Sequence, residues 1–195
     1  TAAYARFAPE FSLTVEGARQ VARGGQFLDG RAANLEEQAG IPLFAAGEMN
    51  LASPAELSAR LATAPYAGLL KEEFGDAIFA QPVLVLSAVK RAIAAFERSD
   101  RFAPFSSRFD RWRAGEATLS PLETEGLALF ANPAKGNCSG CHAFDPASQA
   151  PSDLLFTDFR YYNLGVPRNA RIPANADGAF FDLGRRADAR FQHGI

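Results

Sequence analysis

The chain has 195 residues, with 20 Lys and Arg against 22 Asp and Glu and a formal charge of −2 with both histidines neutral. That balance excludes a polybasic face for nucleic acid or anionic lipid, and no apolar run approaches the roughly 20 residues a membrane helix needs. The length suffices for two small domains, divided at the polar, Pro104-containing stretch Ser99–Ser107 into residues 1–105 and 106–195.

Thr1 to Arg31 is rich in Gly and aromatic residues without a sustained period, which predicts extended or looped chain lying against a larger body. Helical signals begin at Asn34, a capping residue with Glu37 three positions on. Gly40 and Pro42 are expected to stop that helix, leaving 41–50 as a loop that carries Glu48 and Met49. Ser53-Pro54-Ala55-Glu56 opens the next helix, and Pro65 ends it. From Val83 to Arg98 the helical pattern is clearest: Leu84, Ala88, Ile93 and Phe96 recur near the 3.6 period, opposite Lys90, Arg91 and Glu97, and are expected to face the core. Beyond residue 105, Phe109 and a core Trp112 precede a loop through Gly115. Ser120-Pro121-Leu122-Glu123 then starts a helix carrying Leu127 and Phe130. Past Ala147, Gly, Pro, Asn and Asp are dense enough to predict long loops to Ile195. The class is mainly α, with long loops and little strand.

Between that last helix and the loops stands Cys138-Ser139-Gly140-Cys141-His142, and C-x-x-C-H is the attachment signature of a c-type haem. Two thiols at this spacing can add to the two vinyl groups of one haem, with the adjacent His as proximal iron ligand. Leu127, Phe130 and Phe144 are suited to line the flat apolar macrocycle. Competing readings fail on inventory. A structural zinc site needs four ligands, and the other histidine is the distant His193. A thioredoxin-like redox pair needs a βαβ context that residues 130–150 do not show. Covalent haem attachment is an extracytoplasmic event in bacteria, so a periplasmic protein is expected, and a chain opening at Thr1 without an initiator Met reads as a processed or trimmed product.

The runs Phe27-Leu28-Asp29-Gly30-Arg31-Ala32, Leu35-Glu36-Glu37-Gln38-Ala39 and Gly47-Glu48-Met49-Asn50 continue into Ala92-Ile93-Ala94-Ala95-Phe96-Glu97-Arg98 and Ser107-Arg108-Phe109-Asp110-Arg111. Gly126-Leu127-Ala128-Leu129-Phe130, the C-x-x-C-H motif, Phe156-Thr157-Asp158 and Asn163-Leu164-Gly165-Val166 complete the series. In this order they resemble the bacterial di-haem cytochrome c peroxidases and their MauG relatives over nearly the whole chain.

The resemblance implies two cytochrome c-like haem domains. Residues 1–105 match the part of the peroxidatic domain that follows its own haem motif, and 106–195 match an incomplete electron-transfer domain whose haem is held by Cys138, Cys141 and His142. A second haem is then expected from chain preceding Thr1, and the axial Met of the His142 haem from chain following Ile195. Gln38 and Glu48 match the Gln and Glu on the distal side of the peroxidatic haem, where Glu48 would relay a proton during peroxide cleavage. Without the resemblance Glu48 is an ordinary solvated glutamate. Leu28 stands where many of these peroxidases have a Trp between the haems, which weakens the usual inter-haem route and MauG-like radical chemistry. The implied reaction is reduction of hydrogen peroxide to water by a small donor protein, a cytochrome c or cupredoxin. A single-haem electron-transfer protein and a MauG-like oxidase of a protein substrate are the alternatives. The family also allows a calcium ion between the domains and a homodimer. Met49, beside Glu48, is expected as an apolar loop anchor rather than a ligand. His193 is expected in a loop rather than on the iron.

Overall fold

The computed structural model describes residues 2–178 apart from 146, 149 and 163. The chain forms two compact units, Thr1–Phe11 with Gly25–Phe102 and Ser12–Gly24 with Ala103–Ile195.

In the first unit α1 spans Leu35–Phe44. Its start is the one the sequence predicts: Asn34 Oδ1 accepts from Glu37 N–H at 3.0 Å, and Glu37 Oε2 accepts in return from Ala33 N–H at 2.8 Å. Its end is not. The helix runs through Gly40 and Pro42 to Phe44, so residues 41–44 are helical rather than looped. Pro42 leaves the Gln38 carbonyl without its helical donor, at a cost of about 3 kcal/mol. Leu35, Ala39 and Leu43 nevertheless form a buried stripe, and burying the two leucines alone returns roughly 1.5–3 kcal/mol each. Gly40 admits close packing, since a Cβ there would lie 3.1 Å from Lys90 Cδ.

α2, Pro54–Ala62, is capped as expected: Ser53 Oγ accepts from Glu56 N–H at 3.3 Å, and Glu56 Oε2 accepts from Ala52 N–H at 2.7 Å. α3, Ala67–Phe74, gave no sequence signal because Tyr66 caps it without a side-chain hydrogen bond and none of its residues is fully buried. α4, Pro82–Glu97, packs against α1 and α2. Ala88 faces inward as expected, together with Val85 and Ala94, while Leu84 and Phe96 are exposed, contrary to the expected stripe. Close helix packing selects small residues at the contact, which a search for large apolar side chains overlooks. Val85 and Ala88 join Ile78 in one core cluster, and Leu43, Leu51 and Leu57 form another.

Arg98 donates to both Glu36 oxygens at 2.6 and 2.8 Å. That pairing, offset in part by burial, holds the Glu36 carboxyl below its ordinary value. A depressed carboxyl adds stability above its unfolded value and loses it as pH falls through the folded one. Glu36→Gln should therefore flatten the acid limb of the stability curve, by less than about 1 kcal/mol for so exposed a pair. Acid titration of far-ultraviolet circular dichroism checks this, and an unchanged acid midpoint would contradict it.

The second unit holds the antiparallel hairpin β1, Ser12–Glu16, and β2, Arg19–Arg23, with Ser12 opposite Arg23 and Glu16 opposite Arg19. Gly17, at φ 63°, supplies the positive φ of the tight turn. The sequence predicted extended chain here but not its pairing. α5, Arg108–Arg113, and α6, Pro121–Ala131, each begin with a complete capping box, Ser107 with Asp110 and Ser120 with Glu123. Beyond α6 the described chain is irregular apart from short 3-10 turns.

Candidate functional site

The chain leaves α6 at Asn132, whose carbonyl accepts from both Lys135 and Asn137 N–H at 3.1 and 3.0 Å, reversing direction at once. Gly136 is required by the close approach, since a Cβ there would lie 2.8 Å from the Leu129 carbonyl oxygen. Cys138–Gly140 form a 3-10 turn in which the Cys138 carbonyl accepts from Cys141 and His142 N–H at 3.2 and 2.9 Å. One turn thus presents two exposed thiols that form no disulfide, with Cys138 Sγ 3.6 Å from the Gly136 carbonyl oxygen, and an exposed imidazole.

His142 Nδ1 lies 3.1 Å from the Phe156 carbonyl oxygen. A carbonyl only accepts, so the ring proton sits on Nδ1 and the Nε2 lone pair is left for a metal. The imidazole borders an aromatic group. Phe130 lies 6.3 Å from its centroid, Phe144 stacks on Phe156 at 4.9 Å, and Phe109 meets Phe156 edge-on at 5.0 Å. Trp112 packs on Phe109 at 5.5 Å, and Leu127 is half-buried. Leu129, Tyr162 and Leu164 of the same unit keep exposed apolar surface. Paired thiols, an imidazole with its Nε2 lone pair available and an adjoining cluster of phenylalanines packed mainly edge-to-face fit a covalently held c-type haem.

Loop 156–162 braces this arrangement. Tyr162 donates its hydroxyl to Asp158 Oδ2. That hydrogen bond, with burial and the Asp158 charge, pushes the phenol well above the ordinary tyrosine range, so it remains a donor. The acceptor carbonyl of Phe156 belongs to the backbone, which any residue type supplies, so its role had no signature in the sequence.

In the first unit Gln38 is half-buried on α1 and Glu48 is exposed on the turn that follows. Hydrogen bonds from Glu48 N to Ala45 O (2.9 Å), Met49 N to Pro42 O (3.1 Å) and Leu51 N to Leu43 O (2.9 Å) tie that turn to the helix end. The Glu48 carboxylate makes no hydrogen bond or ion pair with the described residues. Met49 is 59% exposed, so it does not anchor the loop, and Leu28 is 99% exposed. A cavity of about 560 Å³ in this unit is lined by Glu36, Tyr66, Phe74 and Arg98 among others and includes neither Gln38 nor Glu48. His193 lies outside the described residues. Among the described residues no three His, Cys, Asp or Glu side chains gather to hold a metal ion, and no helix is long and apolar enough to cross a membrane.

A family model described as di-haem cytochrome c peroxidase matches residues 3–118. The chain belongs to this family. Methylamine utilization protein MauG of Paracoccus denitrificans is 35% identical to this chain over 170 residues, 87% of the chain and 42% of the relative. Cytochrome c551 peroxidase of Nitrosomonas europaea is 31% identical over 157 residues, 79% of the chain and 43% of the relative. The crystal structure of the diheme peroxidase BthA from Burkholderia thailandensis matches with a TM-score of 0.87 at 38% identity, covering 98% of this chain and 46% of that one. The chain therefore spans less than half the length of these relatives. The mainly helical, cytochrome c-like architecture with little strand is borne out.

Proposed function

We propose that this di-haem peroxidase chain serves the reduction of hydrogen peroxide to water in the periplasm, with electrons from a small cytochrome c or cupredoxin entering at a haem held by Cys138, Cys141 and His142. A haem c held there would supply an iron that changes oxidation state and passes electrons on to the family's second, peroxidatic haem, where peroxide would be reduced. Cys138 and Cys141 would tether the macrocycle, His142 would ligate the iron through Nε2, and Phe130, Phe144 and Phe156 would keep water from that side. Glu48 takes the proton from one peroxide oxygen and delivers it to the departing one, and the Gln38 amide orients the substrate by hydrogen bonding. Each hydrogen peroxide takes up two electrons and two protons and leaves as two waters.

The observation that carries this reading is the Glu48 carboxylate, unpaired among the described residues and open to solvent on a turn fixed by backbone hydrogen bonds directly after the helix bearing Gln38. A base poised in this way needs no partner broken before it acts. A second reading, oxidation of a protein substrate, is favoured by the MauG relatives at 35, 34 and 31% identity. Leu28 is aliphatic and cannot carry an oxidising equivalent, which weighs against that radical chemistry and against the usual inter-haem route alike.

Donor stoichiometry separates the two. The full-length protein, given a reduced one-electron donor, should oxidise two donors per peroxide consumed. Peroxide consumption that leaves the donor reduced and needs an added protein substrate would favour the second reading, and a lack of peroxide consumption would contradict both. Mass spectrometry of the same material should show two covalent haems, where a single haem would support an electron carrier instead.

A further inference from the structure

The hairpin Ser12–Arg23 is separated from the haem motif by more than a hundred residues, yet within the second unit it grips the loop that touches His142. Gly24 N–H donates to the Phe159 carbonyl at 2.8 Å, Arg23 Nε to the Asp158 carbonyl at 3.0 Å, and Tyr161 N–H to the Ala22 carbonyl at 3.2 Å. The Tyr161 hydroxyl returns to the Gly24 carbonyl at 2.8 Å, and Glu16 pairs with Arg160 at 2.9 Å. This density of bonds is spent on a backbone that does not hold its shape for free. Phe156 and Phe159 sit at φ 56° and 59°, left-handed conformations that cost non-glycine residues of order 1 kcal/mol or more. Phe156 is also the residue whose carbonyl receives the His142 Nδ1 proton.

We propose that the hairpin is a positioning element for His142, holding loop 158–161 so that the Phe156 carbonyl stays on the Nδ1–H and keeps the imidazole a strong donor to iron. A hydrogen bond from Nδ1 raises the basicity of a ligating imidazole and favours the oxidised metal. Releasing the hairpin should weaken that bond and raise the reduction potential of the His142 haem. The inference rests on the reading that this motif carries haem, and it concerns positioning residues that act on His142 through loop 158–161.

The test uses the haem-loaded full-length protein with Arg23→Ala/Tyr161→Phe, which removes two grips on the loop. Haem attachment to Cys138 and Cys141 is followed by mass spectrometry and the midpoint potential by spectroelectrochemical titration. The expected result is unchanged haem attachment with an upward shift in the potential of this haem. Arg23→Lys, whose ammonium can still donate to the Asp158 carbonyl, should stay nearer the parental value. Val15→Ser, on the same hairpin at a position 72% exposed, should not shift it. A double variant with its haem attached and its potential at the parental value would overturn the inference alone. A parental protein without haem on this motif would overturn the haem reading itself. If the double variant fails to fold, Tyr161→Phe decides by itself, since it removes a single hydroxyl, and an unshifted potential there overturns the proposal.

Discussion

Glu48→Gln in the full-length protein is expected to lower peroxide turnover by about 10²- to 10⁴-fold, the range over which a positioned acid–base group contributes. The amide keeps the size of the carboxylate and removes its ability to take and return a proton. Because the Glu48 carboxylate pairs with none of the described residues, its replacement leaves no buried partner unsatisfied, so the loss should appear in turnover and not in stability. The turn is tied by main-chain bonds from Glu48 N and Leu51 N that the substitution does not touch. Haem content and reduction of the His142 haem by an external donor should stay as in the parent. Gln38→Ala should be milder, since water can partly replace an orienting amide. Parental turnover in Glu48→Gln, measured by stopped-flow peroxide consumption, would remove the proton relay from this position.

Cys138→Ala/Cys141→Ala is expected to abolish covalent haem on this chain. Both thiols are exposed and free of any disulfide on one short turn, so neither is held back by burial or by a disulfide, and each thioether depends on its own sulfur. Denaturing electrophoresis with haem-linked peroxidase staining reads this directly on the polypeptide. Staining of a fragment that contains residues 106–195 should disappear in the double variant. Persistence of the stain there would mean that another group holds the haem.

Much of this structure was legible in the sequence where local chemistry decides the outcome. Asn34, Ser53 and Ser120 each cap the helix they were expected to cap, because a side-chain oxygen three residues from a free N–H acts without help from the rest of the fold. Pro42 shows the opposite case. Its local penalty is real, but the buried stripe of Leu35, Ala39 and Leu43 outweighs it, and that balance depends on neighbours far along the chain. The face of α4 was misjudged in part for a related reason: Ala88 is buried as expected, but Leu84 and Phe96 are exposed, and Ala94 owes its burial to what packs on it rather than to its own size. Around the haem motif, the thiols and imidazole were legible as residue types. The Phe156 carbonyl and the hairpin behind it were not, because main-chain acceptors and long-range pairing leave no mark in composition or spacing.

The central claim is that Cys138 and Cys141 hold a c-type haem with His142 beneath its iron. Peptide mass spectrometry of the protein matured in a host that attaches c-type haem tests it most directly. The account predicts that the peptide containing residues 138–142 carries one haem through two thioether bonds. Recovery of that peptide with both thiols free, from a preparation that still shows haem absorbance, would contradict it.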